Sequence, residues 1–373
     1  MQRAARRLTT MMACVTLLAT SASAQGRWTE QQANEWYARQ GFLVGANYLP
    51  ASAINEMEMW QADTFDPERI DEELGWAAGI GMNTMRVYLH DLPYRDDPEG
   101  FLTRIDRFLA IADGHGIRTM LVLFDSVWDP FPMVGPQRPP RPGVHNSGWM
   151  QSPGKVALED PAEHPRLEAY VRGVVSRFKD DRRVLAWDLW NEPDNMNDPA
   201  YMSLEPTNKV ELVLALLPQV FAWARESGPT QPLTTGVWKG GDWSKTNELT
   251  AMERVQIHLS DVISFHSYDP PDRFEARVTQ LQGYKRPLLC TEYMARGNGS
   301  TFQGVLPLAK RHNVAAINWG LVKGKAQTHL PWDSWRRPYV DRDPDVWFHE
   351  VFHPDGTPYD PKETALIRQL TAR

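Results

Sequence analysis

The sequence contains only two cysteines, Cys14 and Cys290, among its 373 residues. Cys14 lies in an N-terminal segment that we expect to be removed, so the remaining chain cannot form an internal disulfide. A protein that lacks disulfides must obtain its stability from a large apolar core. Cys290 lies within an apolar run, and we interpret it as a small buried residue.

The sequence also lacks an excess of basic residues and a long apolar run. Its formal net charge is −7 and no basic patch stands out, which argues against a nucleic-acid partner. The apolar stretch 11–20 is too short to span a bilayer, so we expect no membrane association once it is removed. Apolar residues make up 42% of the chain and charged residues 23%, as in ordinary globular proteins.

The N-terminus has the three parts of an export signal in the correct order. A basic start with Arg3, Arg6 and Arg7 precedes the apolar stretch 11–20, and Ala22-Ser23-Ala24 is a small-residue cleavage site before Gln25. This order predicts a signal peptide at 1–24 and an exported protein, periplasmic or extracellular. The alternative is an ordinary N-terminal helix. We predict that residues 25–373 form one catalytic domain.

Strand-like apolar runs alternate with helical patterns along this part of the chain. Eight runs are predicted strands: Phe42–Asn47, Asn83–Tyr88, Arg118–Phe124, Val184–Asn191, Leu233–Val237, Val262–His266, Pro287–Thr291 and Ala315–Trp319. Helices are predicted near Pro67–Ala78, Glu99–His115, Glu163–Lys179, Asn208–Glu226, Pro271–Leu281, Phe302–His312 and Pro361–Thr371, with a weaker pattern at Lys245–Arg254. Eight such units predict an α/β fold of the (β/α)8 TIM-barrel type.

An open doubly wound sheet is the alternative fold, and it normally has a glycine-rich phosphate loop after its first strand. Gly79-Ile80-Gly81 lacks the third glycine and is better interpreted as a helix end. Long Pro- and Trp-containing loops follow strand 3, at Asp125–Asp160, and strand 8, at Gly320–Asp360. Both should lie at the face where barrel enzymes keep their active sites.

Two of the predicted strands end in a glutamate. The fourth strand ends in Trp190-Asn191-Glu192-Pro193, and the seventh runs into Glu292. Two carboxylates at the ends of two strands are what acid-base cleavage of a glycosidic bond requires, because one protonates the leaving oxygen and the other attacks the anomeric carbon or activates water.

Other polar and aromatic residues are predicted to surround these carboxylates as substrate-binding residues. They are Asn47, Arg86, Trp128, His145, Asn191, His266, Tyr268 and Trp319. Arg86 can hold one glutamate ionised, and Asn191 can donate a hydrogen bond to a sugar 2-hydroxyl. His266 and Tyr268 share one side of their strand and can orient the second glutamate. Trp319 and Trp128 offer flat surfaces for a sugar ring.

These motifs resemble the clan A glycoside hydrolases, and most of all glycoside hydrolase family 5, the cellulase and mannanase family. The resemblance rests on Trp190-Asn191-Glu192-Pro193 and Thr291-Glu292-Tyr293, with the residues above. It implies a retaining β-glycoside hydrolase that acts by double displacement through a glycosyl-enzyme intermediate, with Glu192 as acid/base and Glu292 as nucleophile. Family 5 members commonly place a His at the end of the third strand, where this chain has Leu123-Phe124-Asp125.

The expected partner is therefore a β-linked glycan or oligosaccharide, with no cofactor and no metal. β-Mannan, β-glucan, xylan and β-galactoside all remain open, and the two long loops favour exo action if they block one end of the cleft. Two alternatives are a sugar-binding barrel without catalysis and a zinc peptidase. The second rests on His349-Glu350-x-x-His353, although Pro354 disfavours the helix that a zinc site of this type needs.

Overall fold

The computed structural model describes residues 26–372, and these form a barrel of eight parallel strands. The strands are β1 (Val44–Asn47), β2 (Thr84–Tyr88), β3 (Arg118–Asp125), β4 (Val184–Asn191), β5 (Leu233–Thr234), β6 (Ile263–His266), β7 (Leu288–Glu292) and β8 (Ala315–Trp319). They follow the order β5-β4-β3-β2-β1-β8-β7-β6. Val237 closes the remaining gap, since its N–H donates to Ser264 and its carbonyl accepts from His266. The predicted (β/α)8 fold is confirmed.

One helix precedes the first strand, and the others follow the strands and lie outside the barrel. They are α1 (Glu30–Ala38), α2 (Glu56–Trp60), α3 (Pro67–Gly79), α4 (Asp91–Asp96), α5 (Pro98–Gly114), α6 (Lys155–Glu159), α7 (His164–Phe178), α8 (Lys209–Glu226), α9 (Ala251–Leu259), α10 (Pro271–Gln282), α11 (Phe302–Arg311) and α12 (Pro361–Thr371). Helix α9 begins later than the weak pattern 245–254 indicates, because Thr250 and Glu253 form a capping box that fixes its start. The glycines Gly79 and Gly81 do stand at the end of α3.

Helix α1 is an element that the sequence pattern did not predict, and it belongs to the bottom of the barrel. Its residues Trp36 and Tyr37 pack in one cluster with Leu43, Met120 and Ile317, which come from the lower ends of the strands. The start of the described chain is fixed as well, since the Trp28 N–H donates to Asp261. The bottom of the barrel is therefore filled with apolar side chains, and the chemistry is left to the opposite end.

Cys290 is fully buried within β7, and burial raises the pKa of its thiol. The structure thus agrees with its interpretation as a small core residue. Among residues 26–372, no helix is both long and apolar enough to cross a membrane.

The two long loops pack directly against each other across the top of the barrel. The His145 N–H donates to Ser334 Oγ at 2.9 Å, and the Asn146 N–H donates to the Ala326 carbonyl at 2.8 Å. The Gln327 amide bridges to both the Gly143 N–H and the Val144 carbonyl. We call this contact, formed by residues 143–146 and 326–339, the loop wall.

Candidate active site

A cleft of about 630 Å³ opens at the carboxyl ends of the strands. Its lining comes from the ends of β3 to β8 and the loops that follow them: Val127, Trp128, His145, Asn146, Asn191, Glu192, 195–199, Trp238, Lys239, Tyr268, Glu292, Trp319, Trp332, Asp333, Trp335 and Arg336. Most of the predicted site residues therefore meet in one place. The loop wall joins the loops that follow β3 and β8, the strands that flank β1 and β2 in the barrel.

Glu192 and Glu292 lie together at the floor of this cleft. Glu192 is 9% exposed and Glu292 is 4% exposed. One carboxylate oxygen of each, together with a ring nitrogen of His266, forms a group in which all atoms lie within 4.8 Å of one another. Carboxyl groups about 5–5.5 Å apart are typical of retaining glycosidases, whereas inverting enzymes keep about 6.5–9.5 Å for a water molecule. The short separation fits retention.

Three donors surround the Glu292 carboxylate. Arg86 and the Tyr88 hydroxyl donate to Oε1 at 3.0 and 2.9 Å, and the Tyr268 hydroxyl donates to Oε2 at 2.7 Å. Burial raises the pKa of both tyrosines well above the usual value, so their hydroxyls remain protonated donors. The negative charge of a carboxylate nucleophile is thus met by two hydroxyl donors and one guanidinium.

Arg86 is fully buried and acts from behind Glu292. Its guanidinium contacts Asp188 at 2.8 Å, Asn47 Oδ1 at 2.8 Å and Asn191 Oδ1 at 2.8 Å. Neither Arg86 nor Asn47 lines the cleft; Asn47 instead anchors to the Thr291 carbonyl at 2.7 Å. These two residues, predicted to bind substrate, are therefore placed where they hold the carboxylate and Asn191.

Glu192 has a different environment. Its backbone is in the left-handed region, with φ at 43°, a conformation that few non-glycine residues adopt. His266 Nδ1 lies 3.0 Å from Oε1, and Asn195 Nδ2 donates to Oε2 at 2.6 Å. Burial raises the pKa of Glu192 and the charge of Glu292 raises it further, whereas the His266 contact lowers it. The net rise favours a protonated carboxyl, as a general acid requires.

Asn191 is held by both of its amide ends. Its Oδ1 accepts from Arg86, and its Nδ2 donates to Asp125 Oδ1 at 2.9 Å. An amide nitrogen carries two hydrogens, so one remains for a sugar hydroxyl. Asp125 also accepts from Trp149 Nε1 at 2.6 Å, and burial raises the pKa of Asp125 to about 7. The third strand thus ends in a buried carboxyl that orients Asn191, at the position where the family commonly has a histidine.

Aromatic side chains form the sides of the cleft. Trp128 stacks on Trp335 with ring centres 5.0 Å apart, so the two long loops contribute jointly to one surface. Trp319 packs edge-on against Tyr88, and Trp332 packs edge-on against Tyr268. Flat apolar faces beside a polar floor are suited to sugar rings, which have apolar C–H faces and polar edges.

His145 also reaches the cleft, but it is nearly completely buried. Its Nδ1 lies 2.8 Å from the Leu330 carbonyl. Burial lowers the pKa of His145 to about 4, so the ring is neutral at ordinary pH and its Nδ1–H donates to that carbonyl. Its first role in the structure is to fasten the loop wall.

The His-Glu-x-x-His match does not form a zinc-peptidase site. Residues 349–353 are not helical, so the two histidines do not share a helix face. His349 is fully buried with its Nδ1 2.6 Å from the Met294 carbonyl, and Glu350 accepts from the Thr328 hydroxyl. The zinc alternative is therefore wrong, as the Pro354 argument indicated.

Within residues 26–372, the group that could offer three metal ligands is Glu192, His266 and Glu292. Its atoms already have partners, however. His266 Nδ1 is close to both carboxylates, and the Arg86 guanidinium lies 3.0 Å from Glu292. A bound cation would have to compete with that guanidinium charge, so this donor set is better suited to proton transfer than to metal binding.

Several site residues were not found from the sequence. Tyr88 and Asp188 lie on the predicted strands β2 and β4, and their nearness to Arg86 and Glu192 along the chain was an available signal. Asn195 and Trp238 lie on loops, where no periodicity places a side chain. Trp238 is fixed by Asp194, which accepts from its Nε1 at 2.6 Å.

The comparison with protein families identifies this architecture. The model of the cellulase family, glycosyl hydrolase family 5, matches residues 53–325. The chain belongs to glycosyl hydrolase family 5. The resemblance to this family is confirmed, and the family is one of O-glycosyl hydrolases, the enzyme class that the sequence predicts.

Individual relatives are more distant. Mannan endo-1,4-β-mannosidase A of Emericella nidulans is 29% identical over 92 residues, which are 25% of this chain and 22% of that protein. The chain thus matches about a fifth of the length of this curated relative.

Solved structures share the fold over most of the chain. A variant of a family 5, subfamily 18 protein from Streptomyces cattleya, in complex with Manβ1-4GlcNAc, has a TM-score of 0.61 at 12% identity, covering 88% of this chain and 80% of that one. The exo-β-1,4-mannosidase of Opitutaceae bacterium strain TAV5 has a TM-score of 0.55 at 19% identity, covering 88% and 59%. At such identities the similarity shows the fold.

Proposed function

We propose that this family 5 member is a retaining β-glycosidase in which Glu292 is the nucleophile and Glu192 the acid/base. The observation that carries the proposal is the pair of buried carboxylates within 4.8 Å in unlike surroundings. Glu292 meets three donors that stabilise its negative charge, whereas burial and the neighbouring charge favour the protonated form of Glu192. Two carboxyls in such different surroundings are suited to separate roles as acid and as nucleophile.

The reaction then takes two steps. Glu292 attacks the anomeric carbon while Glu192 gives its proton to the leaving oxygen, which forms a covalent glycosyl-enzyme and releases the aglycone. Glu192, now ionised, takes a proton from water, and the oxygen of that water displaces Glu292 from the sugar. Asn191 is placed to donate to the 2-hydroxyl, a hydrogen bond that strengthens in the transition state.

We infer exo action on a terminal β-linked sugar, with a β-1,4-mannoside as the leading substrate. Glu192 must protonate the leaving oxygen, so the aglycone lies beside Glu192 and the loops that carry Asn195 and Trp238. The glycone then points toward the loop wall, which closes that end. Mannose-linked relatives support the choice of sugar, since one is an exo-β-1,4-mannosidase and another holds Manβ1-4GlcNAc.

We further propose that residues 1–24 are a signal peptide and that residues 25–373 work as one exported catalytic domain. This prediction falls outside the described residues, which begin at 26. N-terminal sequencing of the protein recovered from the periplasm or medium should give Gln25 as the first residue. A first residue of Met1 in the active protein would contradict it.

The test of function uses both carboxylates and a panel of aryl β-glycosides and oligosaccharides. Glu192→Gln and Glu292→Gln should each lower kcat on natural glycans by roughly 100-fold or more, because proton transfer from Glu192 contributes about 10²–10⁴ and the amide in Glu292→Gln cannot form the glycosyl-enzyme. Glu192→Ala should still form the glycosyl-enzyme from an activated aryl glycoside, and added azide should give the β-azide. Glu292→Ala should give the α-azide. Near-normal kcat in either Gln variant would overturn the assignment.

A further inference from the structure

The side-chain amide of Asn146 is the feature of the cleft that the mechanism leaves unused. Asn146 is 1% exposed, and neither its Nδ2 nor its Oδ1 has a hydrogen-bond partner among residues 26–372. Buried polar side chains almost always have partners, so an exception calls for an explanation. Asn146 also lines the cleft, which places the missing partner on the substrate side.

The position of Asn146 is fixed from several directions. Its φ is 47°, a left-handed conformation that asparagine tolerates better than most residues. Its N–H donates to the Ala326 carbonyl at 2.8 Å, and its carbonyl accepts from Trp149 at 3.3 Å. The residue before it, His145, is fastened to Ser334. The loop wall therefore holds this amide in place while leaving its polar atoms unpaired.

Asn146 lies at the closed end of the cleft. It is joined through Ala326 to loop 320–360, whereas Asn195 and Trp238, beside the acid Glu192, belong to the loops after β4 and β5. In the proposed orientation the terminal sugar meets the loop wall. Its hydroxyls farthest from the bond that is cleaved are then the groups nearest to Asn146.

We propose that Asn146 is a specificity-determining residue that recognises two neighbouring hydroxyls of the non-reducing terminal sugar. The amide oxygen accepts from one hydroxyl, and the amide nitrogen donates to the next, a pairing that a vicinal diol satisfies. A sugar within a longer chain has an ether oxygen in place of one hydroxyl. Where that ether faces the amide oxygen of Asn146 it has no hydrogen to donate, and the amide oxygen stays unpaired. The inference rests on the proposed exo function and explains how the cleft would select a chain end.

The experiment combines variants of Asn146 with substrates that lack one hydroxyl. The parent is the aryl β-glycoside that the wild type hydrolyses best, compared with its 3-deoxy and 4-deoxy analogues. Wild type should lose roughly 5- to 150-fold in kcat/KM on at least one analogue, the range expected for a buried group left unpaired. On the parent glycoside, Asn146→Ala should lose a similar factor in kcat/KM relative to the wild type. For this variant, kcat/KM on that analogue should be almost the same as on the parent.

Two further variants keep the test decisive. Asn146→Gly removes the amide without a free-energy cost for the left-handed backbone. Its kcat/KM values therefore test the inference even if Asn146→Ala folds poorly. Asn313→Ala is the matched control, since Asn313 is exposed and has φ at 52°. In Asn313→Ala the loss of kcat/KM on each deoxy analogue should equal that of the wild type.

The inference is overturned if Asn146→Gly loses as much kcat/KM on the deoxy analogues as the wild type does. The amide of Asn146 would then have a partner other than the sugar, such as a buried water. Failure of the wild type to hydrolyse any β-glycoside would instead overturn the proposed function.

Discussion

Glu192 is the residue whose protonation should govern the alkaline side of activity. It must carry a proton when it meets substrate, and burial together with the Glu292 charge raises its pKa. kcat/KM should therefore fall on the basic side of the pH profile as Glu192 ionises. Glu192 and Glu292 interact, so the apparent pKa of this limb belongs to the pair.

Glu292→Gln should lower the pKa of Glu192, because it removes a negative charge that disfavours ionisation of the neighbouring carboxyl. Carbon NMR of labelled glutamate in this inactive variant measures the change directly. Glu275→Gln, on the outer helix α10, is the control and should leave the titration of Glu192 unchanged. No shift, or an upward shift, would mean that the two carboxylates do not share a site.

Asp125 should matter through Asn191. Asp125→Asn keeps the shape of the side chain but cannot accept from both Asn191 and Trp149, because one of its two positions becomes a donor. We expect kcat/KM to fall roughly 5- to 150-fold, the factor that corresponds to one buried unpaired group. Removing the 2-hydroxyl of the sugar should lower kcat/KM much less in this variant than in the wild type if Asp125 acts by orienting Asn191. An equal loss of kcat/KM in both proteins would assign Asp125 a purely structural role.

At this scale the sequence was informative wherever a strand ended in a polar residue. Glu192, Asn191, Glu292 and His266 could be predicted to meet because parallel strands bring their carboxyl ends to one opening. The unpaired amide of Asn146 could not be predicted, since it depends on which neighbours a loop residue finds after folding.

At the scale of elements, the loop wall is the feature that shapes the cleft. Gly143 has φ at 70°, and a Cβ there would lie 2.4 Å from the backbone of Tyr339. Gly143→Ala should therefore push the two loops apart and raise KM for short aryl glycosides several-fold. Overpacking of this kind costs about 1–3 kcal/mol, measurable by denaturant unfolding.

Gly135→Ala is the matched control on the same loop. Gly135 also has positive φ, at 92°, but a Cβ there meets nothing within 4 Å. It should show the backbone penalty of about 1–2 kcal/mol with an unchanged KM. Equal KM values in the two variants would argue that the loop wall does not define the glycone end.

Helix α1 shows the limit of sequence patterns for elements. Thr29 and Gln32 form a capping box, and this signal was present in the sequence. The alternation of strands and helices, however, begins with a strand and does not predict a helix before it. Its burial against the strand ends depends on contacts with residues such as Met120 and Ile317, far along the chain.

For the whole molecule, buried neutral histidines should limit stability in acid. The pKa of His145 falls from 6.5 to about 4 by burial. Between these values the unfolded chain takes up a proton that the native protein does not, so stability decreases as pH falls through this window. The loss from His145 alone is about 3 kcal/mol.

His145→Gln should flatten this dependence, as measured by chemical unfolding at pH 6.5 and pH 4. The wild type loses stability between the two, and the variant should lose less by about 3 kcal/mol. His164→Gln, on a partly exposed residue at the start of α7, is the control and should follow the wild type. An identical slope in His145→Gln would show that His145 is not kept neutral by the fold.

The barrel itself was predictable because eight alternating units leave few other arrangements. The loop wall was not predictable, because the positions of the two loops follow from the strand pattern but their contact does not. That contact depends on hydrogen bonds between residues almost 190 apart, such as His145 and Ser334.

This separation has a consequence for the timing of synthesis. A ribosome adding about 5–20 residues per second needs about 10–40 seconds to pass from His145 to Ser334. Late in that interval, once residue 292 has been added, the nascent chain carries Glu192 and Glu292 but lacks the segment that closes the cleft around them. The catalytic carboxylates would thus be synthesised before the loop that closes the cleft. A nascent chain stalled before residue 326 would lack Trp335, whose indole stacks on Trp128 in the complete protein.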